Sequence, residues 1–271
     1  MQKNRNKNFP IGVFDSGLGG LTVVKELMRQ LPWEDIVYYG DTARVPYGTK
    51  SKEAIVRFSE ENTRVLLKHK VKMIVVAWNS CSSYALATLC NQFDVPILGV
   101  INPGALKAVI TTHNNKVGVI ATSATIQSQK YTKTIHQYNK GIKVYSQPCP
   151  LFVPLVEEGW MNKSVAVDVA KEYLAPLIRS KIDTLILGCT HYPLLKSMLQ
   201  KVVGKNVKLI DSALEVAFKV KEMLGKTNLN RTVERKPKYI FLVSDRPQKF
   251  QAVAKTFLGR DISIKVEQAH V

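Results

Sequence analysis

The chain is short of cysteine and of acid, and it has no long apolar run. Four cysteines occur in 271 residues, Cys81, Cys90, Cys149 and Cys189, with no Cys-x-x-Cys pair and no zinc-ligand spacing. That excludes a disulfide-stapled scaffold and leaves free thiols, as in a reducing compartment. No stretch approaches the roughly 18 apolar residues that cross a bilayer. The start, MQKNRNKNFP, is polar and basic and has no apolar segment before a cleavage site. Together these features predict a cytoplasmic protein with no membrane partner. Asp and Glu number 21 against 39 Lys and Arg, a balance of +18. Such an excess can signal nucleic acid. Here the basic residues are scattered, through Lys3, Arg5, Lys7, Lys68, Lys70, Lys72, Lys201, Lys205, Lys208 and the stretch Arg231 to Lys238. No nucleic-acid motif and no RNP-type aromatic pattern accompanies them. The expectation is a dispersed, solvated surface and no nucleic-acid partner.

What is present is a rhythm. Short apolar runs alternate with longer amphipathic stretches: Ile11 to Phe14, then the turn DSGLGG and a helix from Leu21 to Gln30. Ile36 to Tyr39 precedes the polar loop GDTARVPYGTKS, and Ser51 to Lys68 has helical spacing. The buried run MIVVA, Met73 to Ala77, leads into a helix opened by WNSCSSYALATL, and Val95 to Val100 follows as a strand. The pattern restarts at Lys116 to Ala121 and continues through Ile142 to Gln147. A helix over Val165 to Arg179, with Val165, Val169, Tyr173 and Leu177 at spacing four, precedes the strands Thr184 to Gly188 and Val207 to Asp211. After a basic linker, Gly225 to Lys238, come a last strand, Tyr239 to Val243, and a helix from Pro247 to Phe257. The fold class is α/β, with mostly parallel sheets covered by helices on both faces.

The two halves are alike. IGVFDSGLGGL followed by MIVVAWNS parallels VGVIATSATI followed by LILGCTHY. Gly12 to Trp78 spans 66 residues and Gly118 to Cys189 spans 71. This predicts two pseudo-symmetric open α/β domains. Open sheets bind ligands at the carboxyl ends of their strands. The expectation is a cleft lined by DSGLGG, PYG, WNS, TSAT and CTHY.

Those turns carry the chemistry. Cys189 directly follows a buried strand, and His191 stands two residues on, placed to orient or activate a thiol. Asp15 and Ser16 end another strand ahead of Gly17, Gly19 and Gly20, which let a backbone approach a ligand. The spacing is neither GxGxxG nor a P-loop, so a dinucleotide or nucleotide-phosphate site is disfavoured. An N-cap is the plainer role for Asp15. Glu157 and Glu158 are further acidic candidates whose roles the residues alone leave open.

The segments IGVFDSGLGGLTV, YYGDTARVPYG, VVAxNS, CPLFVPLVEEG and LILGCTHYPLL, with a looser FLVSDRPQKFQAVAKTFLG, resemble those of the glutamate racemases in the aspartate/glutamate racemase superfamily. The resemblance runs from Ile11 to about Gly259. It implies two α/β domains, the first built from residues 1–101 plus 212–271 and the second from 102–211, with the active site in an interdomain cleft. It implies interconversion of L- and D-glutamate without a cofactor or metal, supplying D-glutamate for peptidoglycan. One thiolate takes the α-proton and a thiol on the opposite face returns one. By position, Cys189 resembles the thiol that acts on L-glutamate, Glu157 and His191 its helpers, and Asp15 the helper on the other side. The substrate-holding positions fall on Asp15, Ser16, Tyr47, Gly48, Asn79, Ser80, Thr190 and His191, with Thr122 and Thr125 as further hydroxyl donors. A homodimer is a frequent state of the family.

The chain departs from the family at one catalytic position. The first thiol of the family stands just before Asn79, where this sequence has Trp78. The internal comparison agrees, because AWNS aligns with GCTH and sets Trp78 against Cys189. An indole has no basic lone pair and no useful exchangeable proton, and its bulk is expected to take substrate space. Cys81, one helical turn on, is not expected to reach the vacated position. Impaired racemisation is therefore expected. Two alternatives accompany it: a one-thiol enzyme resembling arylmalonate decarboxylase, and a non-catalytic binding protein on the same scaffold.

Overall fold

Largely apolar runs of four to six residues, buried along all or nearly all of their length, form the strands at the centre of each sheet. The computed structural model describes residues 6–45, 50–259 and 265–269. In chain order the strands are β1 (Ile11–Asp15), β2 (Ile36–Gly40), β3 (Met73–Val76), β4 (Ile97–Gly99), β5 (Lys116–Ala121), β6 (Lys143–Pro148), β7 (Thr184–Gly188), β8 (Lys208–Asp211), β9 (Tyr239–Val243) and β10 (Val266–Gln268). They make two sheets, ordered β10-β9-β2-β1-β3-β4 and β6-β5-β7-β8. Every described pairing is parallel. The α/β class expected from the strand–helix rhythm is the class observed.

The chain divides into two compact units, residues Met1–Val100 with Val216–Val271, and residues Ile101–Glu215. In the first, the helices Lys52–Leu67, Asn79–Tyr84 and Leu86–Gln92 cover one face of the sheet, over a core that includes Phe14, Val37, Tyr39, Val76 and Trp78. On the other face Leu21–Gln30 packs beside Pro247–Leu258, and Tyr38 stacks on Phe250 at 5.9 Å. In the second unit Ile101–Thr111 and Lys130–Tyr138 close a core of Ala105, Ala108, Val119, Ile135, Ile186 and Ile210. Gly12 and Gly118 hold matching places in β1 and β5. A Cβ on Gly12 would meet Val71 at 3.0 Å, and one on Gly118 would meet Ile182 at 2.6 Å, so each lets its covering layer come close.

Several local expectations are corrected. The helix opened by Trp78 breaks at Ala85 into Asn79–Tyr84 and Leu86–Gln92. In the helix Ser164–Arg179 the buried residues are Ala166, Ala170, Leu174 and Leu177, whereas Val165 is exposed. Spacing of four overshoots the 3.6-residue turn, so a strict i, i+4 stripe drifts off the core within a few turns. β10 was not expected; three residues with mixed exposure carry no alternating pattern. Two of the basic residues assigned to the surface are buried. Lys72 places Nζ 2.5 Å from Glu34 Oε2, and Arg231 lies 2.9 Å from Asp35. Charges enter an interior when a partner compensates the lost hydration. Among the described residues, no helix is long and apolar enough to cross a membrane.

Candidate active site

In both sheets the order reverses beside the first strand, between β1 and β3 and between β5 and β7. Such reversals open a crevice at the carboxyl ends of parallel strands. In the second unit, β7 ends at Gly188, where a Cβ would lie 2.9 Å from the Ile120 carbonyl and 3.0 Å from Tyr131. Only glycine fits there, and Cys189 is delivered directly beyond it. The backbone then curls into a 3-10 turn, Tyr192–Leu195, rather than entering an α-helix at once.

Cys189 and His191 are both nearly buried. Cys189 Sγ lies 3.9 Å from His191 Nδ1, and His191 Nε2 lies 2.9 Å from Glu157 Oε1. Burial alone would drive the imidazole toward neutrality. Hydrogen bonds to Cys189 and Glu157, together with their negative charge, outweigh that and push His191 up to about 10. At neutral pH the ring is therefore an imidazolium, donating from both nitrogens. Glu157, the last residue of the helix Phe152–Glu157, is the acid that reaches the histidine; Glu158 is the cap that follows it. The hydroxyls of Thr122 and Thr125 lie 3.2 Å apart just after β5. Thr190 is buried between Cys189 and His191.

The first unit presents a different set. Asp15 ends β1 and is fully buried. Its Oδ2 accepts the N–H groups of Gly17 at 3.1 Å and Gly20 at 2.9 Å, bracing the glycine turn. It is not the N-cap of the following helix, a place taken by Gly20. A Cβ on Gly20 would come within 2.4 Å of Asp15 Cβ, so this brace requires glycine. Ser16 follows at the same strand end. Trp78 stands just after β3, ahead of the buried Asn79 and Ser80. Its indole belongs to the apolar cluster with Phe14, Tyr39, Val76 and Cys81. Cys81 is wholly buried, 2.8 Å from Ser59 Oγ, and burial pushes its thiol well up. Tyr47 and Gly48 lie outside the described residues.

Sequence reasoning missed Tyr192 and Cys149. The Tyr192 hydroxyl donates to the Cys149 carbonyl at 2.8 Å. The partners lie 43 residues apart, and a tyrosine beside a histidine carries no signal of that contact.

Comparison with known proteins gives one consistent result. The family model described as Asp/Glu/hydantoin racemase matches residues 11–218. The glutamate racemase of Syntrophus aciditrophicus is 46% identical over 262 residues, covering 97% of both chains. A glutamate racemase isoform from Bacillus anthracis superposes with a TM-score of 0.93 at 40% identity, covering 97% of this chain and 98% of that one. The Francisella tularensis glutamate racemase, solved in complex with D-glutamate, superposes with a TM-score of 0.90 at 43% identity, with coverage of 97% and 98%.

Proposed function

The chain belongs to the Asp/Glu/hydantoin racemase family, and we propose that it acts at the α-carbon of glutamate, with Cys189 as the thiol that works on the L-enantiomer. The observation that carries this reading is the line Cys189–His191–Glu157, a thiol next to a buried imidazolium that is itself held by a carboxylate. An ordinary thiol is only a few per cent thiolate at neutral pH. A cation 3.9 Å from the sulfur attracts negative charge there. The thiolate takes the α-hydrogen as a proton, the Cα–H electron pair stays on the carbanion, and the sulfur becomes a thiol. Return of that proton to the same face regenerates L-glutamate; delivery of a proton to the other face gives D-glutamate.

The hydroxyls of Ser16, Ser80, Thr122, Thr125 and Thr190, the amide of Asn79, and the Tyr47–Gly48 segment are the proposed holders of the substrate's charged groups. Hydroxyl and N–H donors suit a carboxylate through directional hydrogen bonds. The scheme needs no cofactor and no metal. D-Glutamate for peptidoglycan, a cytoplasmic location and a homodimeric state are parts of the same reading.

Trp78 limits inversion. Inversion needs a proton-transferring group on each face of the carbanion, and an indole cannot serve. Asp15 gives Oδ2 to two backbone N–H groups, and Cys81 is held protonated in the core. Conversion is therefore slow in the chain as it stands. The test is chiral chromatography of L-glutamate incubated with the Trp78→Cys protein and with the same protein carrying Cys189→Ala. D-Glutamate from the first and none from the second is expected; no D-glutamate from either would overturn the reading.

A further inference from the structure

We propose that Tyr192 is the positioning residue of the His191–Glu157 pair, tying the turn that carries the histidine to the segment that carries the glutamate. This deepens the reading above and rests on it, since the pair matters to turnover only if Cys189 is the reacting thiol.

His191 and Glu157 lie 34 residues apart in sequence. Glu157 is about one-third exposed, at 35% of its side chain, so water competes for its carboxylate. An ion pair that open contributes little unless its framework holds the two groups together. Tyr192 supplies such a framework from the residue next to His191. Its hydroxyl donates to the Cys149 carbonyl at 2.8 Å. Its ring meets Phe152, the first residue of the helix that ends at Glu157, edge-on at 5.3 Å. Phe152 in turn meets Tyr173 edge-on at 5.3 Å. The Cys149 N–H is anchored to the Ala121 carbonyl, the end of β5, at 2.9 Å. Tyr192 and Phe152 are both fully buried. The result is a closed circuit: His191 to Glu157, back along the helix to Phe152 and Cys149, across to Tyr192, and one peptide bond back to His191. Edge-on aromatic contacts and a buried hydrogen bond are directional, so they fix distance and orientation together.

The titratable groups that act on the imidazole are Cys189 and Glu157. Cys149, Tyr131 and Tyr192 lie around the same sulfur and are pushed well up by burial, so they stay neutral at neutral pH.

The test is NMR titration of the histidine rings, which needs no turnover and so separates this proposal from the activity itself. The chain has five histidines, and His191→Gln identifies the signal. In the unaltered protein the His191 midpoint is expected at about 10. Tyr192→Phe keeps the ring and removes the hydroxyl; it is expected to lower that midpoint by about one pH unit. Phe152→Leu is expected to lower it in the same direction and serves if Tyr192→Phe does not fold. In a Glu157→Gln background Tyr192→Phe should cause no further drop, since it acts through the carboxylate. An unchanged midpoint, an equal drop in both backgrounds, or an equal drop from Tyr131→Phe would overturn the proposal.

Discussion

Trp78 and Cys189 hold the same register position in two sheets that share a four-strand order, β2-β1-β3-β4 and β6-β5-β7-β8. β1 aligns Gly12 with Ile74 and Phe14 with Val76, while β5 aligns Gly118 with Leu185 and Ile120 with Leu187. Two residues past Val76 is Trp78, and two residues past Leu187 is Cys189. The equivalence inferred from AWNS and GCTH is thus a backbone equivalence. One half of the fold ends its inner strand on a thiol and the other on an indole.

That asymmetry predicts exchange without inversion. In deuterated water the chain is expected to replace the α-hydrogen of L-glutamate while forming almost no D-glutamate. Trp78→Cys should raise D-glutamate formation by about 10²- to 10⁴-fold, the usual worth of a general acid–base group. Proton NMR of the α-position and chiral chromatography measure the two rates. Brisk inversion by the unaltered chain would refute the prediction.

Cys81 is predicted to be a bystander. It is buried against Ser59 and pushed up by that burial. Cys81→Ala should leave the exchange rate unchanged, whereas Cys189→Ala should abolish it. Loss of exchange in the Cys81 variant, with its fold intact by circular dichroism, would show that Cys81 takes part in the proton transfer and is no bystander.

Stability should fall with rising pH through His191. Its ordinary value is 6.5 and its folded value about 10. A group raised on folding contributes fully below its unfolded value and loses that contribution as pH rises through the folded one. Urea denaturation between pH 6.5 and 10 should show a decline. His191→Gln should flatten it. Parallel curves for the two proteins would show that other groups govern the decline.

The buried Lys72–Glu34 pair should be costly to break from one side. Lys72 Nζ also donates to the carbonyls of Lys7 at 2.9 Å and Leu229 at 2.8 Å, so the pair is tied to two further stretches of the first unit. Lys72→Met alone is expected to destabilise by about 3–5 kcal/mol, because it leaves the Glu34 charge buried without its cation, although Oε1 keeps the Arg231 N–H at 2.7 Å. Adding Glu34→Leu should recover part of the loss. Equilibrium unfolding of both variants decides the matter, and a neutral Lys72→Met would show that water reaches Glu34.

The sequence by itself determined the sheets apart from the edge strand β10. The strands Lys116–Ala121, Thr184–Gly188 and Tyr239–Val243 coincide with largely apolar runs bounded by turns, because the residues a parallel sheet buries on both faces must be apolar. It also placed Asp15 and Cys189 at strand ends, since a polar residue after such a run has nowhere else to go, and it placed Trp78 at the matching end by the alignment of AWNS with GCTH. Tertiary structure alone decided which acid meets His191. Glu157 and Glu158 are adjacent and chemically alike, and only the direction in which the helix Phe152–Glu157 ends brings one of them within 2.9 Å of the ring. It likewise buried Lys72, Arg231 and Cys81, whose fate depends on partners far away in sequence. Local patterns report on neighbours along the chain, whereas compensation of a buried charge and the aim of a side chain are set by what packing brings across it.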